Sequence, residues 1–578
     1  MLFLDSEYIS TDVLVVGGGG AAARAALKAK NSKCKVTMII KKEFGLTGST
    51  ATSHAMAFSA AMGSANPFDC PEKHYNETLK ASFGMSNKKL VRIIAEEAPR
   101  EVIYLEKLGV KFDKKRGKFL QYLADASEIP RAVSVDVETG LAIMNVLKAE
   151  VIKSDIEIFE NLMAIELIIR DNCVSGVIAF DRNNKKLICI LAKSVILATG
   201  GAGNIFSLNS FTSEMTGDGY AMAYRAGTKL INMEFIQIGP TTVFPKLGYA
   251  VTGFLWSLKP KLKNKYKEEF VSKYCPIGVD SEEAIRLKKT TYPFSVRNIS
   301  MYVDIAMFRE ITEKRGTEKN GIYFDLTHVN DDILKNSLSL SSYEKDTTIA
   351  VQKRLLAAGV NVKENPIQIA PLIQYFNGGI KINEHGETSI PGLFAVGEVA
   401  GGIHGADRLG GNSLAECQVF GRIVGKRAAF FALKSKRILF AEKYEIESFK
   451  KHLNIKNRLL NKKSYEIERI RMELRKSMYL NASVIRNNNG LTKLSLRLRE
   501  IENEILPYLT FDSDQFIKFL ELRNIVQVAR VIVEAQRLRC ESRGTHFRSD
   551  FQKKDDENWL KKIVIEQKNG KLKTSIEI

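Results

Sequence analysis

An α/β fold with a helical C-terminal third is what three features of this sequence predict. Near the N-terminus, Thr11–Val16 (Thr-Asp-Val-Leu-Val-Val) is a short apolar run of the kind buried in a parallel sheet, and the alanine-rich Ala21–Leu27 behind it is a strong helix former. Between residues 156 and 190, several short apolar runs with a turn at Asn183-Asn184 read as a β-meander. After Lys434 the pattern changes. Ile467, Ile470, Leu474 and Met478 recur at helical spacing, as do Leu491, Leu494, Leu498 and Ile501, with Asn489-Gly490 read as the turn between the two runs. These stripes are the core of a helical bundle rather than a cofactor site.

At 578 residues the chain is too long for one compact core, so about two to four domains are expected. A composition of 45% hydrophobic and 26% charged residues excludes disorder or coiled coil for most of it. The formal net charge of +20 arises from basic runs at Lys259–Lys267, Lys450–Lys476 and near the C-terminus. Solvated basic faces, attraction of an anionic small molecule or acidic protein, and nucleic-acid binding are three readings of it. No recognised nucleic-acid motif accompanies the charge, so no nucleic-acid partner is expected. Seven cysteines are scattered, none close enough to another for a metal knuckle or an iron–sulfur run. No metal site is therefore expected, and the thiols suggest a reducing, cytoplasmic compartment. If single electrons are needed, another subunit must carry the cluster. MLFLDSEYISTD has no basic region ahead of an apolar core, and no uninterrupted apolar stretch reaches a membrane span, so a soluble chain without direct membrane insertion is expected.

The junction after Thr11–Val16 carries the first chemistry. Gly17, Gly19 and Ala22 satisfy G-x-G-x-x-G/A within the run Gly17, Gly18, Gly19, Gly20, Ala21, Ala22. Gly17 permits the tight turn, Gly19 lets the backbone approach a pyrophosphate, and Ala22 lets the helix pack closely on the strand. The helix N-terminus then offers its N–H groups to the phosphates. A second strand, Lys35–Ile40, closes a Rossmann-like βαβ unit. Ile40 and Lys41 stand where an acidic ribose ligand would be expected, which counts against simple NAD binding.

Further segments follow in a recognisable order: Leu197-Ala198-Thr199-Gly200-Gly201, Thr216-Gly217-Asp218-Gly219, Met233-Glu234-Phe235-Ile236-Gln237, and Pro391-Gly392-Leu393-Phe394-Ala395-Val396-Gly397-Glu398. Then come His404-Gly405-Ala406-Asp407-Arg408-Leu409-Gly410-Gly411-Asn412-Ser413-Leu414 and, in the tail, Ser542–Asp550 and Asp555–Trp559. Together they resemble the flavoprotein subunits of fumarate reductase and succinate dehydrogenase, with relatives in L-aspartate oxidase and the alpha chain of adenylylsulfate reductase. The resemblance covers nearly the whole chain. It implies an FAD-dependent oxidoreductase in which Asp218, Glu398, Ser413 and Leu414 contact FAD, with Lys41, Ser49 and Thr50 also placed against the cofactor. Membrane-bound members of this family attach FAD through a histidine that lies a few residues before a glutamine. If His54 aligns with that glutamine, Ser49 occupies the attachment position and FAD is held non-covalently; in the other register His54 is itself the attachment point.

The resemblance also assigns the substrate side. Arg408 matches a clamp for the substrate carboxylate, and Arg297, in Ser295-Val296-Arg297-Asn298, matches the arginine that serves as acid/base in fumarate reduction. Arginine suits a bidentate grip on an anion. With these go His404 and Gln374, the latter standing where the family carries a histidine. Gln374 can donate a hydrogen bond but supplies no charge. Gly239 replaces a second family histidine, and Thr252-Gly253 replaces a Thr-Glu pair that feeds protons to the arginine. Gly248–Phe254, the basic stretch Lys261–Glu269 and Val296–Asn298 resemble the alpha chain of adenylylsulfate reductase instead, so a nucleotide sulfate stands beside a carboxylate or enoate as the expected substrate.

The architecture implied is an FAD-binding domain at 1–235 and 351–434, split by an α+β capping domain at 236–350 that covers the substrate. A helical domain at 435–540 and a tail at 541–578 follow. The expected activity moves electrons between non-covalent FAD and a small anionic substrate, with an iron–sulfur, ferredoxin-like protein as electron partner, docked on the basic outer face of the helical domain. A non-catalytic electron-transfer flavoprotein is the rival expectation.

Overall fold

The computed structural model describes residues 7–52, 57–136, 138–245, 251, 253–329, 355–437, 443–459 and 466–578. Its central element is the strand Glu7–Val16, buried from Val13 to Val16. Val36–Ile39 pairs with it in parallel on one side and Lys186–Leu197 on the other. Glu157–Phe159 extends the sheet beyond Val36–Ile39, and Leu393–Ala395 joins in parallel against Val195–Leu197. The pairings Val16↔Ile39, Val16↔Leu197 and Leu197↔Ala395 align four strand C-termini in one row. In open α/β sheets that row is where a ligand binds.

Lys186–Leu197 also serves a second purpose. Its first half pairs antiparallel with Cys173–Asp181, which pairs with Leu162–Arg170, giving the meander expected between residues 156 and 190. Asp181 Oδ1 accepts from Asn183 N and Asn184 N at 2.9 and 3.0 Å, an Asx turn that closes the hairpin. On the sheet face lies the helix Gly20–Lys30, crossed by the long helix Asn412–Lys434. A Cβ on Gly425 would sit 2.2 Å from the carbonyl oxygen of Ala25, so the two helices approach at backbone distance.

The cap is a four-stranded antiparallel sheet of Ile236–Phe244, Ile367–Phe376, Ile322–Asp325 and Lys261–Lys263, with the helix Met301–Thr312 packed on it. Trp256, Leu262, Val303, Met307 and Phe324 form its separate core. The segment 330–354 lies outside the described residues. The α/β domain is split along the chain: its main-sheet strands end at Leu197 and resume at Leu393, and the cap inserted between them reaches Phe376 rather than the expected 350, because Ile367–Phe376 pairs with Ile236–Phe244 and Ile322–Asp325.

The helices Glu466–Ala482, Asn488–Glu500 and Phe516–Leu538 pack on one another and bury the stripes Ile467/Ile470/Leu474/Met478 and Leu491/Leu494/Leu498. Asn489-Gly490 is not the turn between them. The turn precedes Asn487, which caps the second helix by accepting from Gly490 N at 2.8 Å, so Asn489 and Gly490 fall in its first turn. The tail adds structure that the sequence did not suggest, a hairpin of Lys562–Lys568 and Lys571–Glu577 that joins Leu230–Ile231 and Gly379–Lys381 in a second sheet. No helix among the described residues is long and apolar enough to cross a membrane.

Candidate active site

The row of strand ends opens into a cavity of about 710 Å³, in the range of cofactor sites. Three helices point their N-termini at it: Gly20–Lys30, Asp218–Arg225 and Asn412–Lys434. Each begins after a glycine N-cap (Gly19, Gly217, Gly411), and none of the three has a side-chain cap. Most of the first N–H groups of these helices are therefore left for an external acceptor, and the helix dipoles favour an anionic one.

Gly17, Gly18, Gly19, Gly20 and Ala21 line the cavity, whereas Ala22 is fully buried behind the turn. Gly17 has φ +129° and lies so near the strand end that a Cβ would stand 2.2 Å from Ala198 O. At Gly19 a Cβ would meet nothing nearer than Thr50 Oγ1 at 3.8 Å, which leaves that backbone open to a phosphate. Ser49 and Thr50 line the same wall, and Thr50 Oγ1 accepts from Gly20 N at 3.2 Å. His54 lies outside the described residues, as does Thr252.

Lys41 lines the cavity and is held by four oxygens. Its Nζ lies 2.9 Å from Asp218 Oδ2, 2.8 Å from Thr216 Oγ1, 3.0 Å from Glu214 O and 2.8 Å from Glu521 Oε1. Burial works to lower its pKa, but Asp218 and Glu521 outweigh that and hold it above the ordinary lysine value. Asp218 is fixed from its other oxygen by Thr216 Oγ1 and Asn524 Nδ2. Glu521 and Asn524 come from the helix Phe516–Leu538, so the helical domain completes this wall. Glu398 also lines the cavity and accepts from Phe376 N at 3.0 Å. Burial pushes its carboxyl up to about 8, against the pull of the Phe376 N–H and Arg408, with Glu416 adding to the rise. Ser413 and Leu414 line the cavity from the first turn of their helix.

The other wall gathers polar groups from the cap and from two loops. Arg408 Nη2 donates to Gln237 Oε1 at 2.6 Å, Nη1 lies 3.3 Å from Ser413 Oγ, and the guanidinium sits 4.5 Å over the Tyr375 ring. Gln374 Nε2 donates to Thr241 Oγ1 at 2.8 Å and to the Tyr292 hydroxyl, which itself donates to Pro240 O at 3.0 Å. Burial keeps the Tyr292 hydroxyl well above its usual pKa, hence neutral. A Cβ on Gly239 would lie 2.9 Å from Gln374 Oε1 and 3.0 Å from the Tyr292 hydroxyl, so Tyr292 occupies the space that a histidine at 239 would need. Asp125 and Lys289 also line this wall. Burial pushes the Asp125 carboxyl up to about 6, against the Tyr292 N–H, Lys288 and Arg408, with Asp407 raising it further.

Of the expected substrate-side residues, Arg408 and Gln374 line the cavity, while His404 and Arg297 stand behind it. His404 Nε2 lies 2.8 Å from Glu416 Oε2 and 3.2 Å from the Tyr375 hydroxyl; the His404 and Tyr375 rings meet edge to face at 72°, and Arg408 lies over the Tyr375 ring. Burial lowers its pKa, which Glu416 opposes. Arg297 Nη2 donates to Asp407 Oδ2 at 3.0 Å and to Ala81 O at 3.3 Å, next to Arg408 in the chain of contacts but turned from the lining. Asp125, Lys289 and Tyr292 were not singled out from the sequence. Tyr292 precedes Arg297 closely enough to have drawn notice, whereas Asp125 sits in Tyr122–Ser127, which carries no motif.

These residues fit a dinucleotide cofactor. The open glycine turn and the three helix N-termini without side-chain caps all face one cavity. Comparison with known proteins agrees. The family described as FAD binding domain matches residues 12–414, and the one described as fumarate reductase flavoprotein C-term matches residues 471–578. An uncharacterized FAD-dependent oxidoreductase of Methanocaldococcus jannaschii is 35% identical, covering 97% of both chains. One of the subunits of the fumarate reductase (CoM/CoB) of Methanothermobacter marburgensis is 32% identical over 98% of both. Among solved structures, Mycobacterium smegmatis Sdh1 in complex with UQ1 superposes with a TM-score of 0.83 at 27% identity, covering 99% of this chain and 94% of that one. With the glycine turn, the split sheet and the C-terminal helices all accounted for, the chain belongs to the fumarate reductase and succinate dehydrogenase flavoprotein family and is an FAD-dependent oxidoreductase.

Proposed function

We propose that the chain interconverts an unsaturated carboxylate and its saturated counterpart, with FAD bound non-covalently and electrons exchanged with a separate iron–sulfur protein. When bound, FAD supplies two-electron redox chemistry. Gly17–Ala21 and the helix start at Gly20 would hold its pyrophosphate, Glu398 its hydroxyls, and Ser413 and Leu414 its ring edge. The single observation that carries the substrate class is Arg408. Its fork is braced by Gln237 and by the Tyr375 face, and it lines the cavity beside the uncharged Gln374 and Tyr292. A guanidinium fixed in this way orients a carboxylate. The cap strands Ile236–Phe244 and Ile367–Phe376 carry Gln237, Thr241 and Gln374, so the cap supplies the wall opposite the cofactor turn.

A nucleotide sulfate is less well served. The basic stretch that suggested it is spent elsewhere: Lys263 pairs with Asp325 at 2.8 Å, Lys265 Nζ donates to Lys314 O at 2.7 Å, and Lys267 lies 3.6 Å over the Tyr323 ring. None of these lysines lines the cavity. The name of the M. marburgensis relative, one component of a fumarate reductase, supports the dicarboxylate reading and the need for a second subunit. The test is to reduce the bound flavin without oxygen and add fumarate or adenylylsulfate. Fumarate should restore the oxidised spectrum; a flavin that stays reduced in excess fumarate, or responds to adenylylsulfate alone, overturns the reading.

A further inference from the structure

Asp125 stands where three parts of the chain meet at the cavity. Its Oδ1 accepts from Tyr292 N of the cap at 3.3 Å, and its carbonyl accepts from Gly410 N, in the Arg408 loop, at 2.9 Å. The next residue, Ala126, donates its N–H to Thr290 O at 3.4 Å. The carboxyl is thus fixed between cap and cofactor wall, lining the cavity with Arg408, Lys289, Gln374 and Tyr292. The charges around it are mixed. Arg408 and Lys289 line the same cavity, while Lys288 is committed to Asp304 at 2.7 Å with both side chains fully buried. Asp407, the partner of Arg297, is the nearby acid, and the Tyr292 hydroxyl is neutral.

A carboxylate at this point opposes an anion gripped by Arg408, because like charges sharing a pocket disfavour one another. A carboxylic acid does the reverse, since its O–H becomes a hydrogen-bond donor. Resting on the carboxylate reading given above, we propose that Asp125 is a proton-linked selectivity residue: an anionic ligand enters the Arg408 pocket together with a proton that Asp125 keeps and donates as a hydrogen bond. Burial has already raised the carboxyl far enough that it is mostly ionised at neutral pH but cheaply protonated, and a bound anion raises it further. By linkage, affinity for the anion should then fall about tenfold for each pH unit above the free-state pKa.

Calorimetry on the FAD-loaded protein tests this. The probe is malonate, a saturated dicarboxylate with no double bond to reduce, titrated at about pH 7 and about pH 8 in two buffers of different ionisation enthalpy. The expected results are uptake of close to a single proton per malonate and about tenfold weaker binding at the higher pH. Asp125→Asn keeps the acceptor for Tyr292 N and gains a permanent donor, so it should bind malonate equally at both pH values. Equal slopes in the two proteins would place the proton on another group lining the cavity, such as Glu398, and overturn the proposal. Malonate binding without proton uptake by the unaltered chain would overturn it too, and that result needs no variant. Neither outcome touches the carboxylate reading, whereas failure of malonate to bind at either pH overturns both.

Discussion

Gly544 lies so close to Ala406 that a Cβ at 544 would stand 2.3 Å from the Ala406 carbonyl oxygen. Around this contact, Thr545 N donates to Ala406 O at 3.0 Å and Val296 N donates to Gly544 O at 2.9 Å. The tail therefore ties together the backbone segments that carry Arg297 and Arg408. Beneath it lies a buried ionic network: Arg539 bonds Glu234 at 2.8 Å and Glu541 at 2.9 Å, and Arg543 also bonds Glu541. Sealed from water, such a network is costly to disturb, because removing one partner strands the other.

Gly544→Ala tests this clamp. Its φ of +54° disfavours any Cβ, at about 1–2 kcal/mol, and the overlap with Ala406 must also be relieved. Gly570→Ala is the control, since Gly570 has φ +73° but nothing within 4 Å of a Cβ. Thermal unfolding should show a clearly larger fall in Tm for the 544 variant, and only that variant should lose turnover. Equal falls would mean that strain alone matters and that the clamp does not.

Arg408→Lys keeps the charge but loses the planar fork that bonds Gln237 from one nitrogen while leaving others for a bidentate grip on a carboxylate. Loss of a fixed charged donor at a reacting centre costs about 2.7–4 kcal/mol, so reoxidation of the reduced flavin by fumarate should slow at least about a hundredfold. Arg297→Ala should act differently, by stranding Asp407, whose carboxyl burial already raises against the pull of Arg297. Its pH profile should shift. A chain that only passes electrons to a partner would be indifferent to both changes.

Lys41→Met leaves Asp218 and Glu521 without the cation that joins them, with side chains only 10% and 11% exposed. Breaking such a buried group costs about 3–5 kcal/mol. The pH dependence has a definite sign. The Lys41 contribution is complete below the ordinary lysine pKa and is lost as pH rises through its raised folded value. For Glu521, burial raises the pKa but Lys41 and Arg471 bring it below the ordinary value, so its contribution is lost as pH falls through that lowered value. Urea unfolding across pH should show both limbs in the unaltered chain and a flatter curve in the variant, together with weaker FAD retention.

Glu398→Gln addresses the opposite case. With its carboxyl pushed up to about 8, Glu398 favours the folded state only while protonated. In flavin-stripped protein, stability should decline as pH rises from the ordinary glutamate pKa towards about 8, where the folded state finally gives up its proton. The glutamine variant should lack that decline. A parallel decline in both proteins would assign it to another group.

The cofactor end of the site was legible because its signals are local. The turn at Gly17–Gly20 needs glycines at fixed offsets between a strand and a helix, and Gly397-Glu398 and Gly411–Leu414 carry comparable short-range constraints. Where local signals competed, the sequence misled: Asn489-Gly490 looks like a turn, but Asn487 caps the helix just ahead of it. The substrate end was legible only in part. Gln374 and Arg408 stood in recognisable segments, yet nothing nearby in the chain marks Asp125, and Gly239 looked like a lost histidine until Tyr292 was found in the space beside it.

By itself, the sequence determined the α/β fold, the dinucleotide turn and the family, since backbone conformation and hydrophobic periodicity are set over a few neighbouring residues. Only the tertiary structure decided which charges face the ligand. Asp125, Gln237, Tyr292, Gln374 and Arg408 come from five distant segments, and it is the docking of the cap on the flavin wall that brings them together at one site. The same packing turns Arg297 towards Asp407. Electrostatic partnership depends on distance through space and on burial, and neither quantity is encoded by position along the chain.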